Sequence, residues 1–176
     1  MLGGTLEIRA VPFEHADVQR LVAEVQAEYV VRYGGPDETP MHPHVFDPPD
    51  GAFFVGYVGE EPVATGGWRL RRDVRPWGSR LAAEVKRMYV TATARRRGYA
   101  QQVLTRLEES AREGGADVMV LETGLAQPEA IAMYVRAGYR EIDPFGFYAD
   151  APLSRYFGKP LVPAQETAAS TSSTGS

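Results

Sequence analysis

The spacing of apolar and polar positions changes period several times along the chain, and each change marks an element. Residues 5–11 alternate Leu6, Ile8 and Ala10 with Glu7 and Arg9, the period of two that half-buries a strand. From residue 16 to 32, Val18, Leu21, Val22, Val25 and Tyr29 recur at helical spacing and draw one stripe, which Gly34-Gly35-Pro36 ends. Segments 52–58 and 61–71 flank Gly59-Glu60 as a β-hairpin, and 81–91 is a further strand after a loop through Arg75-Pro76-Trp77-Gly78. Ala100, Val103, Leu104, Leu107 and Ala111 give 98–113 a second helical stripe, closed by Gly114-Gly115. Residues 117–122 (DVMVLE) make a short apolar strand, and 128–137 a helix with Pro128 in its first turn and Gly138 past its end. Segments 139–148 and 155–162 complete the set as strands.

This order places the chain in the α/β (α+β) class, with a mixed sheet and helices on both of its faces. The succession 81–91, 98–113 and 117–122 fits a right-handed crossover between parallel neighbours. Residues 34–50 carry five prolines and no periodicity, a loop long enough to serve as a lid or binding loop. From residue 163 the sequence is small and polar with nothing to bury, so one domain over 1–162 and a disordered tail over 163–176 are expected.

Composition narrows the function. The chain has 176 residues, 44% of them hydrophobic, and a net charge of −4, so no global positive field draws it to nucleic acid or anionic lipid. Lys86 and Lys159 are the only lysines beside seventeen arginines, the side chain suited to bidentate phosphate or carboxylate contacts. The absence of cysteine removes disulfides, thiolate metal sites and a thiol nucleophile. No segment reaches the roughly 18 apolar residues of a membrane helix, and the N-terminus lacks a basic start with an apolar core, so a cytoplasmic protein with no membrane partner is expected. His42 and His44, with His15 far away, do not supply the three or four convergent ligands that zinc needs, so no metal is expected.

The chemistry centres on Thr91-Ala92-Thr93-Ala94-Arg95-Arg96-Arg97-Gly98-Tyr99-Ala100, between a strand and a helix. A helix start exposes unpaired backbone N–H groups and the positive end of the dipole, and glycine lets them approach an anion closely. A single glycine excludes both the P-loop and the G-x-G-x-x-G dinucleotide pattern. Charge alone favours a solvated turn with no ligand, and a nucleic-acid contact is opposed by the acidic balance and the single short basic run.

Arg95-Arg96-Arg97-Gly98-Tyr99-Ala100 matches the Arg/Gln-x-x-Gly-x-Gly/Ala signature of the Gcn5-related N-acetyltransferases, the GNAT superfamily. Residues 83–90 (AEVKRMYV) resemble the strand before that signature. Leu121-Glu122-Thr123 and residues 130–139 (AIAMYVRAGY) resemble the later A-I-x-L-Y-x-x-x-G-F segment. The resemblance covers roughly residues 50–162. It implies a central, mostly antiparallel twisted sheet of about seven strands with one splayed parallel pair, formed here by 81–90 and 117–122.

It also implies acetyl-CoA as co-substrate. Backbone N–H groups of Arg96, Arg97, Gly98, Tyr99, Ala100 and Gln101 would hold the pyrophosphate, with charge added by Arg95 and Arg96. Val90 would run along the pantetheine arm, with Met88 and Tyr89 in the same binding set, and a backbone N–H would polarise the thioester carbonyl. Gln127 stands where many relatives carry an asparagine that touches CoA. Tyr134 corresponds to the tyrosine that protonates the leaving thiolate, and Glu84 to a glutamate acting as general base, often through water. Read without the resemblance, Tyr134 is a core aromatic on the face of Ala130 and Ile131, and Glu84 a surface carboxylate paired with Lys86 or Arg87.

For the acceptor the resemblance points to the first helix, the loop after it and the end of the sheet: Tyr29, Tyr33, Glu84, Glu122 and Thr123. Trp68 and Trp77 are further candidates, although Trp68 on a strand fits a core position better. Asp37, Glu38, Asp47 and Asp50 give the loop an acidic character that suits a cationic amine or simply keeps it soluble. The expected function is an acetyl-CoA-dependent N-acetyltransferase acting on a small-molecule primary amine by direct attack in a ternary complex. Acetylation of a protein N-terminus or lysine, and a non-catalytic acyl-CoA sensor, remain alternatives. A homodimer is common in the resembling family, and nothing in this sequence marks an interface.

Overall fold

The structure, a computed structural model, describes residues 4–38, 42–125 and 127–161, so the tail expected at 163–176 lies outside the described residues. The elements run β1 (Leu6–Ala10), α1 (Ala16–Tyr33), β2 (Gly51–Val58), β3 (Glu61–Arg71), β4 (Ala82–Val90), α2 (Tyr99–Glu113), β5 (Val118–Gly124), α3 (Pro128–Arg136), β6 (Arg140–Glu141) and β7 (Ser154–Pro160). The strands form one sheet in the order β1-β2-β3-β4-β5-β7-β6. Every neighbouring pair is antiparallel except β4 and β5.

The amphipathic stripes decide which face each helix covers. Val103, Leu104, Leu107 and Ala111 of α2 pack with Trp68, Val85, Met119 and Leu121, and Tyr134 of α3 joins the same layer. Val18 and Leu21 of α1 cover the opposite face, against Phe53, Val55 and Tyr57. Phe46 belongs to this second layer, its ring 5.1 Å from that of Phe53. Phe46 thus anchors the later part of the 34–50 loop to the core, from a short helical turn over Pro43–Phe46, while most of the residues around it stay exposed. Trp68 is core as well, its indole N–H donating to Ser110 Oγ at 2.9 Å.

The penultimate strand is shorter than its apolar pattern suggests. Pairing with β7 is confined to Arg140 and Glu141, after which the chain turns away. Pro144 has no N–H for a ladder, and Gly146 sits at φ 74° in a turn, so residues 143–153 wrap over the sheet end instead.

Two features open the centre of the sheet. At one end β4 and β5 are pinned together: Asp117 accepts from the backbone N–H groups of Arg80 and Leu81 at 2.8 and 3.0 Å, and its own N–H donates to Leu81 O at 3.0 Å. The parallel ladder then runs only through Ala82–Val118, Ala83–Met119 and Glu84–Val120. Beyond it β4 stays paired to β3 as far as Val90, and β5 to β7 as far as Gly124, but not to each other. The second feature is a bulge in β4. Thr65 pairs with Tyr89 and Gly67 with Lys86, so Arg87 and Met88 together oppose Gly66. Arg87 takes φ 57°, and its carbonyl accepts from Thr65 Oγ1 at 2.8 Å.

Gly66 is required here by packing, not by its dihedrals. A methyl group at this position would stand 2.7 Å from Met88 Sδ and 2.8 Å from the stiff Val103 Cγ1, forcing α2 off the bulge. Gly66→Ala is expected to destabilise the fold by about 1–3 kcal/mol through overpacking. Urea unfolding reads this as a lowered midpoint with an unchanged slope, and an unchanged midpoint contradicts the close approach of α2.

Candidate active site

Where β4 and β5 part, the sheet contains a cavity of about 980 Å³. Both strands turn unpaired backbone N–H and C=O groups toward this gap, and buried groups of that kind require partners, whether water or an extended polar ligand. Met88, Tyr89 and Val90 form one wall, and Leu121, Glu122, Thr123 and Gly124 the other. Tyr29 and Tyr33 of α1 close it from one face of the sheet, Tyr134 of α3 from the other.

One end of the cavity reaches the start of α2, lined by Arg95, Arg96, Gly98, Tyr99, Ala100 and Gln101. Arg96 at φ 64° and Gly98 at φ 78° put left-handed residues into the turn, the backbone alternation that points successive N–H groups at an anion. Gly98 is the N-cap and has no side chain to satisfy the first-turn N–H groups, which leaves them for a ligand. Arg97, although adjacent in sequence, is exposed and does not line the cavity. Arg95 lines it but is engaged: its Nε donates to Val90 O at 3.0 Å, its Nη2 to the Glu28 carboxylate, and its guanidinium lies 5.7 Å from the Tyr89 ring centre. Arg96 is thus the arginine with the greater freedom to meet an anion, whereas Arg95 ties α1 to the end of β4.

Tyr134 is buried, with its ring edge-on to Tyr139 at 5.6 Å, and its hydroxyl has no hydrogen-bond partner among the described residues. Burial raises its pKa, with smaller contributions from Tyr29 and Glu122, so the phenol is protonated throughout the neutral range. Gln127 caps no backbone group. Its Nε2 donates to Tyr33 Oη at 3.2 Å, bridging α1 to the start of α3. The Tyr33 hydroxyl itself lies where a side chain at Gly124 would begin, 1.7 Å from an ideal Cβ, so only glycine admits it.

The carboxylates separate into two environments. Glu84, expected at the cleft, is 4% exposed and does not line the cavity. Its Oε1 accepts from Arg69 Nε at 2.8 Å and Arg71 Nη1 at 3.1 Å, both on β3. It is the neutralised centre of a buried ion cluster, not a surface charge paired with Lys86 or Arg87. Glu122 does line the cavity, accepts from Ser154 Oγ at 2.8 Å, and has no salt bridge among the described residues. Burial raises its pKa above the ordinary glutamate value, the Ser154 hydrogen bond opposing this. Sequence spacing alone did not distinguish the two, because the arginines that occupy Glu84 come from a different strand.

The carboxylates of Asp37 and Asp47 in the loop are held by side-chain partners. Asp37 lines the cavity, but its carboxylate meets Lys86 and Arg87, while Gln26 holds its backbone N–H at 2.9 Å. Glu38 donates its N–H to Tyr148 Oη at 2.7 Å. Asp47 pairs with His44 Nδ1 at 2.8 Å outside the cavity. Trp77 is exposed beneath Arg140 and takes no part. Of the expected acceptor residues, Tyr29, Tyr33, Glu122 and Thr123 meet at the cavity and Glu84 does not.

Comparisons with known proteins agree with this geometry. Residues 19–139 match the sequence profile of the "Acetyltransferase (GNAT) family". An IAA acetyltransferase of Azospirillum brasilense is 44% identical over 78 residues, which are 44% of this chain and 51% of that protein. An uncharacterised N-acetyltransferase of Bacillus subtilis is 31% identical over 115 residues, 64% of this chain and 72% of its own. The chain thus spans about half the length of the first of these relatives. A putative acyl-CoA N-acyltransferase from Klebsiella pneumoniae superposes with a TM-score of 0.72 at 25% identity, covering 91% of this chain and all of the other. A profile match over more than half of the chain, with the splayed parallel pair and the loop before α2 in the places that its signature assigns them, shows that the chain belongs to the acetyltransferase (GNAT) family.

Proposed function

We propose that the protein is an acetyl-CoA-dependent N-acetyltransferase that acetylates a primary amine of a small molecule by direct attack within a ternary complex. The observation that carries this reading is a single cavity joining an uncapped helix start, a gap between splayed parallel strands, a buried phenol and a half-buried carboxylate without a salt bridge among the described residues. Each of the four meets one requirement of acyl transfer to an amine.

Acetyl-CoA, when bound, supplies the thioester acyl group. The first-turn N–H groups of α2, with Arg96, bind and orient its diphosphate as fixed dipoles and charge. The unpaired edges of β4 and β5 satisfy the amides of its pantetheine arm. The bulge at Arg87 and Met88 takes one residue out of the β3 ladder and frees a backbone N–H to polarise the carbonyl. Glu122 accepts the proton that the acceptor ammonium must lose before its nitrogen can attack, directly or through water. Tyr134 gives its hydroxyl proton to the departing sulfur as the carbon–sulfur bond breaks, and the second proton of the attacking nitrogen, released as the amide forms, restores the phenol. Its position in the gap between the strands, and not its acidity, makes it the donor. Glu84 then acts by holding Arg69 and Arg71, and with them the β3–β4 pairing beneath the site.

Titration of the purified protein with acetyl-CoA is expected to show binding that weakens as salt rises, and that is lost in Arg96→Ala/Gly98→Glu, which adds a carboxylate at the helix start. Equal binding by wild type and variant sinks the proposed anion site. Tyr134→Phe is expected to lower kcat by about 10²-fold, the scale of one lost proton donor, with acetyl-CoA affinity retained. An unchanged kcat removes its role as the acid. Because the ionised form of Glu122 is the active one and its pKa is raised, activity is expected to fall on acidification from a pH above the ordinary carboxylate range. Glu122→Gln should abolish this limb and most of the rate. A limb that persists unchanged in the variant assigns the proton to another group.

A further inference from the structure

Lys86 and Arg87 are consecutive residues of a strand, and in a regular pleat their side chains would point to opposite faces of the sheet. Both reach the same carboxylate oxygen, Asp37 Oδ2: Arg87 through Nη1, and Lys86 through Nζ at the long distance of 3.4 Å. The bulge and the left-handed backbone of Arg87 bring them onto one face, the side covered by α1. A non-glycine residue held at positive φ carries strain, and here its structural consequence is the pairing of two cations at the cavity wall.

The pair is under-satisfied. Both side chains are at least nine-tenths buried and line the cavity, against one shared carboxylate oxygen. Lys86 has three donors, and Asp37 is the only polar contact of its ammonium among the described residues. Arg87 Nε is buried with no hydrogen-bond partner. Across the gap stands Glu122, itself without a salt bridge. The register that pairs Glu84 with Val120 would set Lys86 opposite Glu122 two residues further on, had the strands not separated. The splay therefore holds a buried cation pair and a half-buried carboxylate apart, on the two walls of one cavity.

We propose that the Lys86–Arg87 pair binds a carboxylate of the acceptor, whose ammonium meets Glu122, so that the acceptor class is an α-amino acid. This rests on the acetyltransferase reading above. A zwitterion completes both halves of the divided charge set with its own two poles, whereas a simple amine fills only one and leaves the cations under-satisfied. Tyr29, Tyr33 and Tyr148 form the remaining acceptor-side wall, which suits an aromatic or apolar side chain. Asp37, clamped by Gln26, presets the two cations and prevents them from separating.

The test is calorimetric binding of matched pairs to the full chain, alone and saturated with CoA: L-phenylalanine against phenethylamine, L-methionine against 3-(methylthio)propylamine, and L-leucine against isopentylamine. At least one amino acid is expected to bind about tenfold or more tightly than its decarboxylated partner, the scale of one charge-assisted hydrogen bond. That preference should vanish in Lys86→Gln and return in Lys86→Arg, while acetyl-CoA binds all three proteins alike. Equal or tighter binding of the amines, a preference that survives Lys86→Gln, or no binding of any amino acid in the panel each overturns the assignment. Failure of the acetyltransferase reading is told apart by its own titration, in which acetyl-CoA does not bind the wild type.

Discussion

Between Glu84–Val120 and their far ends, β4 and β5 keep their ladders to β3 and β7 but have none with each other. A sheet interior ordinarily satisfies every backbone polar group on both sides, so two strands that part in its centre leave donors and acceptors unmet. Asp117 makes this possible by fixing the closed end through two carboxylate bonds to backbone N–H groups and one backbone–backbone bond, so that the opening is a hinge-like divergence and not a loss of the sheet. The cavity, the placement of Tyr134 behind it and the exposure of Glu122 inside it all follow from that divergence.

The bulge at Arg87 is the second constraint, and it acts on side chains where the splay acts on backbone. Opposite it Gly66 allows Val103 and Leu107 of α2 to press against the sheet from one face. On the other face the same irregularity turns Lys86 and Arg87 together toward Asp37. One extra residue in one strand thus sets the depth of α2 and the charge of the cavity wall. The uncapped helix start at the cavity belongs to α2, so its distance from the cleft and the charge of the cavity wall are fixed by the same local geometry.

Charge burial is managed by grouping. Glu84 sits between Arg69 and Arg71, and a buried carboxylate so enclosed is held in place at the expense of reactivity. Arg95 is similarly occupied, by Glu28, the Val90 carbonyl and the face of Tyr89. Glu122 on the cavity wall differs: among the described residues its carboxylate accepts from the neutral Ser154 hydroxyl and has no salt bridge, and its pKa is displaced upward by burial. The contrast between Glu84 and Glu122, two carboxylates on adjacent parallel strands, separates a structural anchor from a group that can exchange a proton.

The sequence by itself determined the elements and the turn before α2, because these depend on short-range signals. The stripe at Val103, Leu104 and Leu107 placed α2, Gly59-Glu60 the hairpin, and the spacing from Arg95 to Ala100 the loop. It carried the strand after Gly138 on to residue 148, past the point at which Pro144 and the Gly146 turn end the pairing. Side-chain roles that depend on a partner from another strand or helix were left to the tertiary structure. Arg69 and Arg71 removed Glu84 from the cleft, Glu28 engaged Arg95, and the Tyr33 hydroxyl settled on Gly124. The alternating period of a strand also assigns Lys86 and Arg87 to opposite faces, and only the register shift against β3 shows them on one. Local periodicity encodes what a segment becomes; which charges meet is decided by pairings between residues distant in sequence.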